Sequence, residues 1–111
     1  MPVRTQRLGL GVTPGADVAG TAYTCPAGET TILKDWRIGT PGGNTCSRAI
    51  VYLSSGGVVV PLFDGALAAF DTRGGTPWVV LHPGDELQVL AATHPGFQYW
   101  LSGTELHGVA D

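Results

Sequence analysis

Apolar runs of strand length recur from one end of this chain to the other, and none keeps a helical period for long. "TTILKDWRIGT", "CSRAIVYLS", "GVVVPLF", "GALAAFDT", "TPWVVLH", "DELQVLAA" and "FQYWLSG" are each bounded by Gly, Pro, Asn or Asp. Several alternate with period two and are rich in β-branched and aromatic residues, which suits a pleated, half-buried surface. Only "ALAAF" has a brief helical look. Turn signals at this spacing predict an all-β fold: a jelly-roll-like β-sandwich of about 8–10 short antiparallel strands. The opening, residues 1–19, reads as an extended N-terminal arm suited to docking on a neighbour by strand addition. Residues 20–111 read as the sandwich domain.

The punctuation has its own chemistry. "SSGGVV" places two glycines between strand-like runs, as a tight hairpin with positive φ requires. "FDGA" and "TRGGT" read as further Gly-bearing turns, and "TPGGNT" (residues 40–45) as a longer loop. Pro61 lies inside an apolar run, which marks an edge strand or a bulge. In "LHPGDE", Pro83 pre-sets φ at the second position of a β-turn and Gly84 supplies positive φ at the third. Asp85 can then accept hydrogen bonds from nearby backbone amides. Pro83, Gly84 and Asp85 are therefore read as a structural turn, with His82 and Glu86 as polar neighbours.

The strand faces carry the functional signal. In residues 31–38 the pattern sets Ile32, Trp36 and Ile38 on one face, broken by Lys34, and Leu33, Asp35 and Arg37 on the other. In residues 48–53, Ala49, Val51 and Leu53 face one way while Ile50 and Tyr52 face the other. Residues 78–81 and 97–101 are likewise apolar on both faces. A lone antiparallel sandwich keeps one face of each strand polar. Apolar character on both means burial on both sides or a surface closed by another subunit; a domain this small favours the second, with Ile50, Tyr52, Trp78 and Trp100 as candidate interface residues. Charged residues make up only 14% of the chain, well below the usual quarter or so, which fits a surface partly covered in this way.

Other chemistries find less support. Net charge is −3 and the six Lys and Arg are dispersed, so no basic patch invites nucleic acid. No run is long enough to cross a bilayer, and no apolar h-region follows the first arginines; the reading predicts no signal peptide and a life in the cytosol or in a particle assembled there. Cys25 and Cys46 leave a disulfide and free thiols both open, with reduced thiols favoured by that compartment. A cupin-like metal site would need convergent imidazoles. His82, His94 and His107 are isolated and no H-x-H occurs, although His82, Glu86 and His94 could converge across strands. There is no G-x-S-x-G elbow, and Ser54 and Ser55 sit at a hairpin tip. Asp64, Asp71 and Asp85 fall at expected turns, where Asp serves the backbone. Gly9 and Gly11 do not extend to a phosphate-binding loop. No cofactor, metal or catalytic residue is expected. Trp36, Trp78, Tyr99 and Trp100 could form a sugar-stacking platform, but tryptophans on alternating strands more often belong to a core or an interface.

Two stretches carry a resemblance. "GTAYTCPAGETTILKDWRI" resembles the opening of many small virion proteins of tailed bacteriophages, where "YTVPAG-x-T" leads into a strand rich in Ile, Leu and Val. "WVVLHPGDELQVL" followed by "YWLSGTEL" resembles the same group's "L-x-P-G-D-x-L" turn and its closing segment. Together they span residues 20–38 and 78–106, with Cys25 standing where the group has an apolar residue. The resemblance implies a non-enzymatic β-sandwich component of the virion: a minor tail protein, a collar or tail-tip accessory, or a capsid decoration protein. Its partners would be copies of itself, in a trimer or higher ring, and other capsid or tail proteins. A carbohydrate-binding module, with a host glycan as partner, is the alternative, and a cupin-like metal-dependent enzyme a more distant one.

Overall fold

The computed structural model describes residues 5–40, 44–92 and 96–107. Among them run nine strands: β1 (Thr5–Val12), β2 (Gly20–Thr24), β3 (Glu29–Gly39), β4 (Cys46–Ser55), β5 (Val58–Leu67), β6 (Thr72–Gly75), β7 (Val79–Leu81), β8 (Glu86–Ala91) and β9 (Gln98–His107). They form two antiparallel sheets. Sheet A has the order β1-β9-β3-β6, with β7 also pairing β3, and sheet B has the order β2-β8-β4-β5. Counting β6 and β7 as one interrupted strand against β3, the chain is dealt between the two sheets as in a jelly roll. The all-β sandwich expected from the alternation is the fold observed.

The core lies between the sheets. Leu33, Trp36, Ile38, Leu81 and Leu101 enter from sheet A, and Ala49, Val51, Leu67, Leu87, Val89 and Ala91 from sheet B. Trp36 and Phe63 meet across the gap with ring centroids 5.7 Å apart and planes tilted by 48°. Each fully buried Leu, Val or Phe contributes about 1.5–3 kcal/mol from water exclusion, the main term holding the sheets together.

Four readings of the sequence change in the fold. In β3 a bulge falls between Leu33 and Asp35, and strict alternation breaks there. Thr31 and Leu33 before it and Trp36 and Ile38 after it all face the core, so Leu33 and Trp36 share a face that simple period-two counting separates. "FDGA" is not a turn. Phe63–Ala66 lie inside β5, and Asp64 pairs across the ladder with Ile50. "TRGG" is likewise strand β6, paired with residues 36–39 of β3. The fourth concerns the N-terminal stretch. Residues 5–12 form the edge strand β1 against β9 of the same chain. Thr13 continues the attachment, donating its N–H to Phe97 O at 3.0 Å and accepting the Phe97 N–H on Oγ1 at 3.2 Å. From Thr5 onward the supposed arm is thus stitched into its own sandwich; residues 1–4 lie outside the described residues.

Two turn readings hold in detail. Gly56 and Gly57 have φ of 56° and 86° and close the β4–β5 hairpin between the paired residues Ser55 and Val58. Pro61 sits on β5, the edge strand of sheet B, beside the irregularity where Val51 faces Phe63 and Tyr52 faces Pro61.

Candidate functional site

The "HPGD" corner carries the chain from β7 in sheet A to β8 in sheet B. Asp85 N–H donates to His82 O at 3.0 Å, and Gly84 has φ 89°, the geometry of a type II turn. The corner is tied to a second crossing of the sandwich: Gly84 N–H donates to Cys25 O at 3.0 Å and Cys25 N–H to Asp85 O at 2.9 Å. The Asp85 side chain is buried and accepts twice, from His82 N–H at 2.9 Å and from Ser55 Oγ at 2.7 Å. Burial pushes this carboxyl upward, but the hydrogen bonds from Ser55 and His82, with the nearby His82 ring charge, outweigh it and hold Asp85 below the usual carboxylate range.

A serine, an aspartate and a histidine thus lie together without forming a nucleophile site. Ser55 gives its hydroxyl hydrogen to a carboxylate of low basicity, and His82 meets that carboxylate through its backbone amide. The residues of the corner join β4, the β2–β3 connection and both sheets. Pro83, Gly84 and Asp85 act as a structural turn, and Ser55 is part of it.

A polar cluster occupies the same end of the sandwich. Tyr23 OH donates to Glu105 Oε2 at 2.5 Å and lies 2.8 Å from Thr31 Oγ1. Burial, then the bond to Glu105, raises the Tyr23 phenol above the usual tyrosine range, which keeps it a donor. The Cys25 thiol is buried beside Thr31 Oγ1 at 3.4 Å and Leu81 O at 3.5 Å. Cys46 is also buried, 3.2 Å from Arg48 O, and both cysteines are free thiols. Among the described residues no three His, Cys, Asp or Glu side chains converge to hold a metal ion. Of the proposed His82–Glu86–His94 set, His82 is exposed, Glu86 accepts from Gln88 Nε2 at 2.6 Å, and His94 lies outside the described residues.

The four candidate interface residues do not form one patch. Ile50 and Tyr52 alternate with the buried Ala49 and Val51, so they stand half-buried on the outer face of sheet B. There Tyr52 OH donates to Gln88 Oε1 at 3.1 Å, and Gln88 Nε2 reaches Thr21 Oγ1 at 3.3 Å. Beside Ile50, Arg48 forms a two-pronged contact with Asp64, at 3.0 and 2.8 Å, which lowers the Asp64 carboxyl below its usual range. Trp78 and Trp100 belong to the other sheet. Trp78 precedes β7 and shares the outer face with Val80, the partner of Ile32 in the ladder; the Lys34 ammonium lies 5.0 Å from its ring centroid. Trp100 faces outward between Leu10 and Arg37, toward the opposite end of sheet A. Trp36 is in the core, so no platform of all the tryptophans exists.

Exposed apolar residues that the pattern did not single out are as prominent. Val58, Val59 and Val60 are 63%, 56% and 47% exposed on consecutive positions of β5. Successive strand residues point to opposite faces, so the start of this edge strand is bare on both. Three β-branched residues in a row after a Gly-Gly turn and before a proline were the available signal. Leu10 and Val12 are exposed on the edge strand β1. Phe70, in the β5–β6 connection, is 79% exposed and has φ 58°; Trp78, 61% exposed, has φ 52°. Positive φ costs a bulky side chain about 1–2 kcal/mol, and neither ring recovers that cost by burial. Nothing in "AAFD" announces such a residue.

Trp100, Leu10 and Phe70 border a groove of about 430 Å³ at the end of sheet A where β1, β3 and the start of β9 meet the β5–β6 connection. Arg37, Asp71 and Gln98 contribute its polar groups. No protein-family model, curated protein or solved structure matches this chain.

Proposed function

We propose that this chain is a non-enzymatic structural subunit of a tailed-phage particle, a minor tail, collar, tail-tip or capsid decoration protein, and that it works by packing against other proteins. The observation that carries the reading is the start of β5. Val58–Val60 are exposed on both faces of an edge strand, and an edge strand also offers unpaired N–H and C=O groups. A two-sided apolar edge of this kind in a soluble protein is an aggregation liability unless a neighbour covers it. Strand addition by a second copy or by a larger capsid or tail protein would satisfy the backbone and bury the valines together. The apolar outcrop at Trp78 and Val80 would extend the contact toward the roughly 1,600 Å² of a standard interface. The sequence resemblance to tailed-phage virion proteins supplies the setting: assembly in the host cytoplasm, residence in the virion, partners that are proteins and not nucleic acid or membrane. Closed rings, trimers among them, suit the symmetric sites on such particles.

Two measurements test the reading. Mass spectrometry of purified particles from the genome that encodes the chain should find it at fixed stoichiometry. Sedimentation velocity should find an oligomer, or a complex with a co-expressed virion protein, that Val59→Lys dissociates without lowering the melting temperature. Absence from the particles, together with a monomer indifferent to Val59→Lys, would overturn it.

A further inference from the structure

The groove at the β1–β3–β9 end of sheet A is distinct from the valine edge of β5, and its occupant needs a different chemistry. Its lining combines the aromatic residues Phe70 and Trp100 with the polar residues Arg37, Asp71, Thr72 and Gln98. The volume, about 430 Å³, falls in the small-ligand range of about 300–1,000 Å³.

Phe70 is held on the rim by its surroundings. Asp71 N–H donates to Ala68 O at 3.2 Å, and Ala68 N–H donates to Asp71 Oδ2 at 3.3 Å. Thr40 fastens the same turn to the end of β3, its N–H to Asp71 O at 3.3 Å and its Oγ1 to Ala68 O at 3.0 Å. Arg73 Nε, 3.3 Å from Asp71 Oδ2, orients the carboxylate from the far side. A turn fixed at this many points forces Phe70 into the left-handed region and presents its ring to solvent. Strain of this kind, over-determined by neighbours and not repaid by burial, is what a preorganised ligand clamp shows.

We infer that this groove is a saccharide-binding site. A pyranose ring has apolar C–H faces that stack on aromatic rings and vicinal hydroxyls that donate to carboxylates and accept from guanidinium and amide N–H groups. Phe70 and Trp100 provide the first, and Arg37, Asp71 and Gln98 the second. A purely apolar ligand would desolvate the polar lining at Arg37, Asp71 and Gln98 without adding hydrogen bonds to it. A phosphate-bearing ligand would bring its negative charge up to Asp71 in the lining, which a neutral sugar does not. The site stands apart from the packing role proposed above, which needs no ligand.

A printed glycan array, followed by fluorescence titration with the glycan that binds, tests the inference on the full chain. At least one glycan should bind and shift the tryptophan emission. Trp100→Ala and Phe70→Gly should each weaken binding at least tenfold. Phe70→Gly frees the strained φ, so its melting temperature should be unchanged or higher, which separates loss of the platform from loss of the fold. Binding to no glycan on the array overturns the inference, as does binding that survives both substitutions. If the two substitutions instead dissociate a protein complex, the groove is a protein contact and the inference also falls.

Discussion

The outer faces of the two sheets start from similar strand patterns and finish with different chemistry. On sheet B, Tyr52, Thr21 and Glu86 each hydrogen-bond to Gln88, and Arg48 engages Asp64 beside Ile50. On sheet A, Trp78 and Val80 stand exposed toward one end, and Leu10 and Phe70 toward the other. Both faces carry apolar residues. In the middle of sheet B, Ile50 and Tyr52 are flanked by side chains that satisfy each other within the monomer, and the bare valines stand apart at the start of the β5 edge; on the outer face of sheet A, Trp78 and Val80 are left to solvent. Polar pairing on a solvent face contributes little stability but makes water an adequate neighbour; bare aromatic and aliphatic surface gains from a partner. The lesson is that an apolar residue on a second face marks an interface only where its cross-strand neighbours leave it unshielded. By that measure Ile50 and Tyr52 are the weaker interface candidates and Trp78 the strongest, while Trp100 lines the groove assigned to a saccharide.

The largest expected effect lies at the corner that locks the two sheets together and so keeps the faces distinct. Asp85→Ala removes a buried acceptor from Ser55 Oγ and His82 N–H and should cost about 2–3 kcal/mol, read as a lower midpoint in urea. Because the folded-state acidity of Asp85 is enhanced, its contribution is present above its unfolded pKa of about 3.9 and is lost as pH falls through the lower folded value. Asp85→Asn should therefore flatten the loss of stability below about pH 4. A variant that unfolds in acid as the wild type does would show that the corner is not the lock.

Next comes the exposed face itself. Val80→Ser, like Trp78→Ser, should reduce self-association or partner binding by sedimentation while changing stability by no more than about 0.5 kcal/mol. A change in stability with no change in association would erase the contrast between the faces. Tyr52→Phe sharpens it from the other side. Losing the bond to Gln88 should cost about 1 kcal/mol or less and leave association untouched. The smallest effect is expected at Arg48→Ala, which removes an exposed ion pair and should leave the melting curve within its scatter.

Much of this was legible in the chain. Period-two alternation and regular Gly and Pro punctuation are local properties, so they exposed the strands, the Gly56–Gly57 hairpin, the edge position of Pro61 and the "HPGD" turn. The errors have a common cause. "FDGA" and "TRGGT" carry turn residues that tertiary pairing drew into β5 and β6, and the bulge in β3 broke the parity on which face assignment depends. Phe70 was invisible because its backbone is set by Thr40 and Asp71, not by its own propensity.

The sequence by itself determined that this protein is a β-sandwich and where several of its tight turns fall, because side-chain alternation and positive-φ glycines act within a few residues of chain. Only the tertiary structure decided which apolar residues remain outside, that Ser55 and Cys25 complete the Asp85 corner, and that Phe70 and Trp100 share a groove. Those outcomes depend on register and sheet order, which bring together residues distant along the chain, and a bulge of one residue is enough to exchange inside for outside.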